Sequence, residues 1–226
     1  MKPLQDRVAV LVPAFNARGT LPTLLKKLIP IVPATRILVV DDGSTDGTAD
    51  VVRSFGVRVI VHARNEGKGR ALASGFADLV NHEEIEAVCT IDADLQHRPE
   101  RLMSFVSRME TTNSDIIVGR RNRSATSMPI SRRMSNTITS FLVTARTACF
   151  VPDSQCGYRL IRRKVLHDVR IDSCGFEAET EFLIKAIRKG YRVEFVPIET
   201  VYNGESSHMR NWEAIVGFVR IIFREF

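Results

Sequence analysis

The sequence predicts an α/β protein with a mixed, mostly parallel central sheet, doubly wound and flanked by helices. Three observations predict it. Through roughly the first hundred residues, apolar runs of strand length alternate with stretches of helical periodicity. The apolar runs are near-continuous rather than alternating with polar residues, as strands buried on both faces of a parallel sheet require. The loops that follow them carry Asp, Asn, Gly and Lys, at the strand ends where such sheets bind ligands.

The elements follow in order. Arg7 to Val12 is a strand, ended by Pro13-Ala-Phe-Asn16. Thr20 and Pro22 open an amphipathic helix carrying Leu24, Leu25, Leu28 and Ile29, with Pro at a position that needs no N–H. A strand from Arg36 to Val40 runs into Asp41-Asp42-Gly43-Ser44, and a helix follows to about Phe55. Val57 to Val61 is a strand, and Asn65-Glu-Gly-Lys-Gly-Arg70 opens a helix with Ala71, Leu72, Phe76 and Leu79 as its buried stripe. Ala87, Val88, Cys89 and Ile91 form the next buried strand.

After a strand from Asp115 to Gly119 the pattern loosens. Ile130 to Val151 reads as a helix with Met134, Ile138, Phe141, Leu142 and Ala145 along one face, suited to packing on the sheet or to membrane contact. Cys156 to Ile161 predicts a short strand, Phe176 to Lys189 a helix capped by Gly190, and Arg192 to Pro197 a last strand. Trp212 to Phe226 predicts an amphipathic helix. It has three open roles: packing on the core, pairing with another subunit in a homo-oligomer, or lying in a membrane interface. The expected division is one domain over residues 1–210 and a C-terminal amphipathic helix over 211–226.

The totals narrow the function. A chain of 226 residues with 44% hydrophobic and 26% charged residues has the composition of an ordinary soluble globular domain. No apolar run approaches the ~18–20 residues that span a bilayer, and the first residues lack a signal-peptide core, which points to the cytoplasm. Cys89, Cys149, Cys156 and Cys174 show no metal-ligand spacing and read as reduced thiols. The net charge is +6, and from Ile116 to Pro152 there is no acidic residue while Arg120, Arg121, Arg123, Arg132, Arg133 and Arg146 all fall there. With few aromatics to stack on bases and no binding motif, this stretch fits phosphate groups or a solvated face better than nucleic acid.

Chemistry concentrates at the strand ends. Asp92 and Asp94 lie two apart where a strand finishes, so they face the same side and repel unless a cation sits between them. A hard divalent metal that also takes substrate phosphate suits that pair, while the triplet by itself equally serves to cap a loop. Asp42 is placed to accept hydrogen bonds from a base or ribose, or to hold its own turn. Lys68 between Gly67 and Gly69 is neither a Walker loop nor a dinucleotide fingerprint. At a helix start it is suited to meeting a diphosphate, or to standing solvated in a flexible loop, the reading the residues alone favour.

Taken together, Val12-Pro-Ala-Phe-Asn16, Val39-Val-Asp-Asp-Gly-Ser-Thr-Asp-Gly-Thr48, Asn65-Glu-Gly-Lys-Gly69 and Ile91-Asp-Ala-Asp-Leu-Gln-His97 resemble, in order and spacing, the family-two glycosyltransferases of the GT-A (Rossmann-like) fold. Asp153-Ser-Gln-Cys-Gly-Tyr-Arg159 and Phe176-Glu-Ala-Glu-Thr-Glu181 are similar to the branch with dolichyl- and polyprenyl-phosphate glycosyltransferases. The resemblance implies a UDP- or GDP-linked sugar donor, with Pro13, Phe15, Asn16 and Asp42 at its base and ribose and Lys68 near the nucleotide. It implies that Asp92 contacts the donor and that Asp94 and Gln96 hold Mg²⁺ or Mn²⁺. It implies that Arg120, Arg132 and Arg133 grip the phosphate of a polyprenyl-phosphate acceptor at the inner face of the cytoplasmic membrane. Asp153 and Glu179 are then candidates for positioning the acceptor, or for base assistance if the acceptor is a saccharide hydroxyl. A non-catalytic sugar-nucleotide-binding module is the remaining alternative. His208 falls where relatives carry a basic residue near the donor phosphates. Two departures bear on donor and membrane: Phe15 and Ala17 stand where many lipid-phosphate members have Tyr and an acidic residue, and residues 211–226 read as an amphipathic helix where many members carry transmembrane helices, so peripheral membrane access is expected.

Overall fold

Strands that must bury both faces end up at the centre of the sheet. Val8–Ala14 (β1) is buried at every position and is flanked by Ile37–Asp41 (β2), likewise wholly buried. The structure, a computed structural model, describes residues 3–121 and 130–199 together with Phe218 and Ile221, with backbone only for 130–135.

The chain lays down β1, α1 (Leu21–Leu28), β2, α2 (Thr48–Ser54), β3 (Arg58–Val61), α3 (Lys68–Leu79) and β4 (Ala87–Thr90). It continues through α4 (Leu102–Thr112), β5 (Ile116–Arg121), α5 (Ile130–Thr147), β6 (Arg159–Arg162), α6 (Arg163–Asp168), α7 (Ala178–Arg188) and β7 (Val193–Ile198). The seven strands form one sheet in the order β3-β2-β1-β4-β6-β5-β7. Only β6 runs against its neighbours, pairing antiparallel with β4 and β5, while the other pairs are parallel. Ala14 lies opposite Asp41, and Leu11 opposite Thr90, so β1, β2 and β4 finish along one edge. The mixed, mostly parallel sheet is the predicted one.

Two helices escaped the sequence reading. The first, α4, buries Leu102, Phe105, Val106 and Met109, a stripe at i, i+3, i+4 and i+7. Each such side chain contributes about 1.5–3 kcal/mol on burial. The second, α6, is a short helix directly after β6. The strand expected from Cys156 begins instead at Arg159, because the residues before it form a loop that reaches the site. Cys89 and Cys156 are buried, Cys149 is partly covered and Cys174 exposed, and all four are free thiols.

The long helix α5 corrects one expectation. Its apolar stripe does not pack on the sheet: Ile138 is 54% exposed and Phe141 69%. The opposite stripe, Asn136, Thr139, Ser140 and Val143, is buried. Those polar groups have partners, as buried polar groups must. The Ser154 N–H donates to Ser140 Oγ at 3.2 Å, the Gln155 amide to Thr139 Oγ1 at 3.3 Å, and the Val151 N–H to Thr144 Oγ1 at 3.0 Å. The side chains of Met134, Arg132 and Arg133 lie outside the described residues, as do Arg123 and His208. Of the C-terminal segment, Phe218 and Ile221 are described. Both are helical and buried, Ile221 within the main core.

Candidate active site

The loops at the sheet's carboxyl edge are tied to one another before they offer anything to a ligand. Asn16, at φ +49°, accepts the Thr45 N–H through Oδ1 at 3.0 Å, and its own N–H donates to Ser44 Oγ at 2.8 Å. Pro13 is buried within β1, and Phe15, just past the strand, is 37% exposed. Asp42 is a clamp. Its Oδ1 meets His62 Nδ1 at 2.7 Å and the Glu66 N–H at 3.0 Å, and its Oδ2 accepts the Gly67 N–H at 2.8 Å. The predicted nucleotide residue therefore fixes the loop that carries Lys68.

That loop is braced from its far side as well. The Gly69 N–H donates to the Cys174 carbonyl at 2.7 Å. A Cβ on Gly67 would lie 2.4 Å from that carbonyl oxygen, and one on Gly69 would lie 2.1 Å from the Ser173 carbonyl oxygen. Only glycine fits such backbone contact. Glu181, fully buried on α7, holds residues 172–173 by accepting both their N–H groups and is itself paired with Lys185.

The start of α3 then delivers Lys68 into a carboxylate cluster. Its Nζ sits 2.6 Å from Asp92 Oδ1 and 3.1 Å from Glu179 Oε1. Burial disfavours the charged ammonium, but the two carboxylates outweigh it and hold the Lys68 pKa above its usual range. Burial likewise works against the Asp92 charge, and the Lys68 ammonium overcomes it, leaving the carboxyl below its usual range. Gly157 lets the loop pass over this pair: a Cβ there would lie 2.5 Å from Asp92 Oδ2 and 2.9 Å from Glu179 Oε1.

A second ion pair closes the far side. Asp153, with no exposed surface, takes a bidentate contact from Arg121, Nε to Oδ2 and Nη2 to Oδ1, each at 2.8 Å. Arg159 anchors the loop bearing Asp153 by donating to the Ser154, Cys156 and Glu179 carbonyls. The Arg121 charge acts on both Asp92 and His97. Sequence reasoning singled out Arg120. Along β5 the two arginines alternate, Arg120 to the exposed side and Arg121 to the half-buried side that pairs with Asp153.

Asp94 and Gln96 occupy the turn after Asp92. Leu95 adopts φ +61°, a left-handed backbone that costs a side-chain-bearing residue roughly 1–2 kcal/mol. The turn lets Asp94 Oδ1 accept the Gln96 N–H at 3.0 Å. Strain of this kind gathers at functional loops.

A family description, Glycosyl transferase family 2, matches residues 9–170. The chain belongs to that family. It is 29% identical over 206 residues to the undecaprenyl-phosphate mannosyltransferase of Micrococcus luteus, spanning 86% of this chain and 84% of that one. It is also 29% identical over 214 residues to the polyprenol monophosphomannose synthase of Mycolicibacterium smegmatis, spanning 88% and 78%. In fold it matches the glucosyl-3-phosphoglycerate synthase of Mycobacterium tuberculosis, crystallised with Mn²⁺, UDP and glucosyl-3-phosphoglycerate. That match has a TM-score of 0.74 at 20% identity and covers 95% of this chain and 77% of that one. The sheet and helices are thus those of a GT-A glycosyltransferase.

Among the described residues of this family 2 glycosyltransferase, no three His, Cys, Asp or Glu side chains gather as a metal cage. The donors present fit a weaker site. Asp94 and Gln96 offer one carboxylate and one amide oxygen, which suits a hard cation that completes its shell with substrate phosphate and water. Asp92 is already neutralised by Lys68.

His97, the last residue of the Ile91–His97 motif, is buried. Burial pushes its pKa down to about 4, against the pull of Asp92, and its ring stacks on Tyr158 at 5.6 Å between centroids. A base with a depressed folded pKa is neutral when folded, while the unfolded chain takes up a proton below about 6.5, so acid costs stability between those values. Urea unfolding at pH 7 and pH 5 is expected to differ by about 2 kcal/mol from this residue. His97→Gln should remove that part of the slope. An unchanged slope in the variant would place the acid sensitivity elsewhere.

Proposed function

We propose that the protein is a metal-dependent, inverting glycosyltransferase that moves a hexose from a nucleotide sugar of the UDP-glucose or GDP-mannose type to polyprenyl or dolichyl phosphate at the cytoplasmic membrane face. One observation carries the reading: the Lys68–Asp92–Glu179 cluster stands beside Asp94 and Gln96 at the sheet's carboxyl edge. The names of the two prenyl-phosphate relatives support the acceptor. The Mn²⁺ and UDP bound by the structural neighbour support a divalent metal and a nucleotide donor.

In this reading Pro13, Phe15 and Asn16 border the base and ribose, and Asp42 sets the loop that presents Lys68. Asp92, fixed by Lys68, meets the sugar. Asp94 and Gln96 hold the metal, Mg²⁺ or Mn²⁺, which when bound neutralises charge gathering on the departing nucleoside diphosphate. Arg120, with Arg132 and Arg133 from the start of α5, collects the acceptor phosphate, and Arg121 adds positive charge beside Asp92. A phosphate monoester is largely dianionic at neutral pH and needs no base. Its oxygen forms the new bond to the anomeric carbon as the bond to the diphosphate oxygen breaks, which inverts that centre. Asp153 serves through Arg121, because both its oxygens already accept from that guanidinium.

The test is incubation with a panel of UDP- and GDP-sugars, polyprenyl phosphate and Mn²⁺, read by mass spectrometry. A hexosyl lipid phosphate from one donor is expected. Transfer to a saccharide, with none to lipid phosphate, would favour the hydroxyl-acceptor alternative. Arg120→Ala is expected to raise the KM for polyprenyl phosphate about tenfold or more, the worth of a charge-assisted contact to phosphate, with the donor KM little changed. Equal effects on both substrates would remove Arg120 from the acceptor site.

A further inference from the structure

Helix α5 is built inside out for a water-facing helix. Its polar residues Asn136, Thr139 and Ser140 face inward, while Ile138, Phe141 and Ala145 face outward and Leu142 is half-covered. Just past its end Phe150 is 72% exposed. Single exposed apolar residues are ordinary on protein surfaces. Here Ile138, Phe141, Leu142 and Ala145 follow i, i+3, i+4 and i+7, so they line one continuous face. Hydrogen bonding to the 151–155 loop explains why the polar stripe turned inward. It does not explain why the outward stripe is apolar.

Charge indicates what covers that face. Residues 116–152 hold six arginines and no acid or lysine, a formal +6 that equals the net charge of the whole chain. Arg121 is turned inward to Asp153, whereas Arg120 is exposed, and Arg132 and Arg133 belong to the first turn of α5. An apolar stripe within a basic, acid-free segment matches an anionic lipid surface: aromatic and aliphatic side chains enter the acyl boundary and arginines meet headgroup phosphates. A second protein copy would bring the same positive segment against itself, which disfavours a symmetric dimer through this face.

We propose that α5 docks the enzyme on an anionic bilayer through Ile138, Phe141 and Phe150, with Leu142 and Ala145 between them. The choice of a bilayer rests on the prenyl-phosphate reading of the site. The placement also serves that site. The inner side of α5 bonds the loop that carries Asp153, Asp153 holds Arg121, and the Arg121 charge acts on Asp92, so the docking helix is linked to the carboxylate cluster through that loop.

The test is co-sedimentation of the full chain with vesicles of phosphatidylcholine alone or with roughly a third phosphatidylglycerol. Wild type is expected to bind the anionic vesicles, less so at high salt. A variant combining Ile138→Ser, Phe141→Ser and Phe150→Ser should lose about tenfold or more of that partition. The substituted side chains are already exposed, so its thermal unfolding should match wild type. Phe141→Trp should show a blue-shifted emission increment on the same vesicles. Transfer to a short, water-soluble prenyl phosphate without vesicles should survive the triple substitution, while transfer to long-chain acceptor in vesicles should fall. Undiminished vesicle binding by the folded triple variant overturns the proposal even if the enzyme is active. Absence of wild-type vesicle binding together with a dimer that the triple variant breaks overturns it in favour of a second copy. If no prenyl phosphate is ever glycosylated but the face still governs vesicle binding, the docking stands and the acceptor assignment falls.

Discussion

Lys68→Met is expected to lower stability by about 2–4 kcal/mol at neutral pH, because it removes the cation between two carboxylates that cannot both stay charged without it. The figure sits below that for a fully enclosed pair because Asp92 keeps a quarter of its side chain, 24%, in contact with solvent. The pH dependence fixes the cause. In the wild type the Asp92 pKa lies below its unfolded value, so its contribution is present above the unfolded carboxylate pKa and is lost as pH falls through the folded one. In the variant no ammonium offsets the burial of the Asp92 charge, and protonating Asp92 relieves that cost. The gap between wild type and variant should therefore be widest near pH 7 and should narrow toward pH 4 in urea titrations. A gap that does not change with pH would mean lost packing rather than lost charge.

Asp94→Ala is the second large effect and lies on chemistry rather than stability. In the proposed mechanism Asp94 supplies the carboxylate that holds the metal, so its removal should cost transfer about a thousandfold or more, the several kcal/mol a bound cation supplies to a developing diphosphate charge. Stability should change by about 1 kcal/mol or less, since Asp94 is half-buried and its Oδ1 bonds the N–H of Gln96 within the same turn. Thermal melts beside initial rates separate the two.

Local pattern carried the first half of the fold. β1 to β4 and α1 to α3 were legible because each is a contiguous run whose period and end signals lie within a dozen or so residues. The insertion of β6 between β4 and β5 was not, since antiparallel pairing of Val88 with Ile161 is a long-range choice that no window contains. The stripe of α4 is present in the letters, but the helix is entered through the Pro99–Arg101 turn without a side-chain cap to mark its start.

The site divides the same way. Asp92, Asp94 and Lys68 announced themselves by motif. That Lys68 joins Asp92 to Glu179 depends on α3, β4 and α7 meeting in space. That Arg121 pairs with Asp153 was not legible, because in a strand one residue of register moves a side chain to the other face and Asp153 lies 32 positions on. The left-handed Leu95 has no sequence signal at all, because leucine is a residue that rarely adopts it. The outward apolar face of α5 was visible as a stripe, but its direction depended on what the polar stripe could bond.

The most direct measurement is transfer itself, run side by side on wild type and Asp94→Ala with a reactive nucleotide sugar, polyprenyl phosphate and Mn²⁺, and read as lipid mass. A hexosyl polyprenyl phosphate from the wild type, and none above background from an equally folded Asp94→Ala protein, is the predicted result. Lipid product from the variant at the wild-type rate, or hexose released only to water by both, would contradict a donor-diphosphate site centred on Asp92 and Asp94.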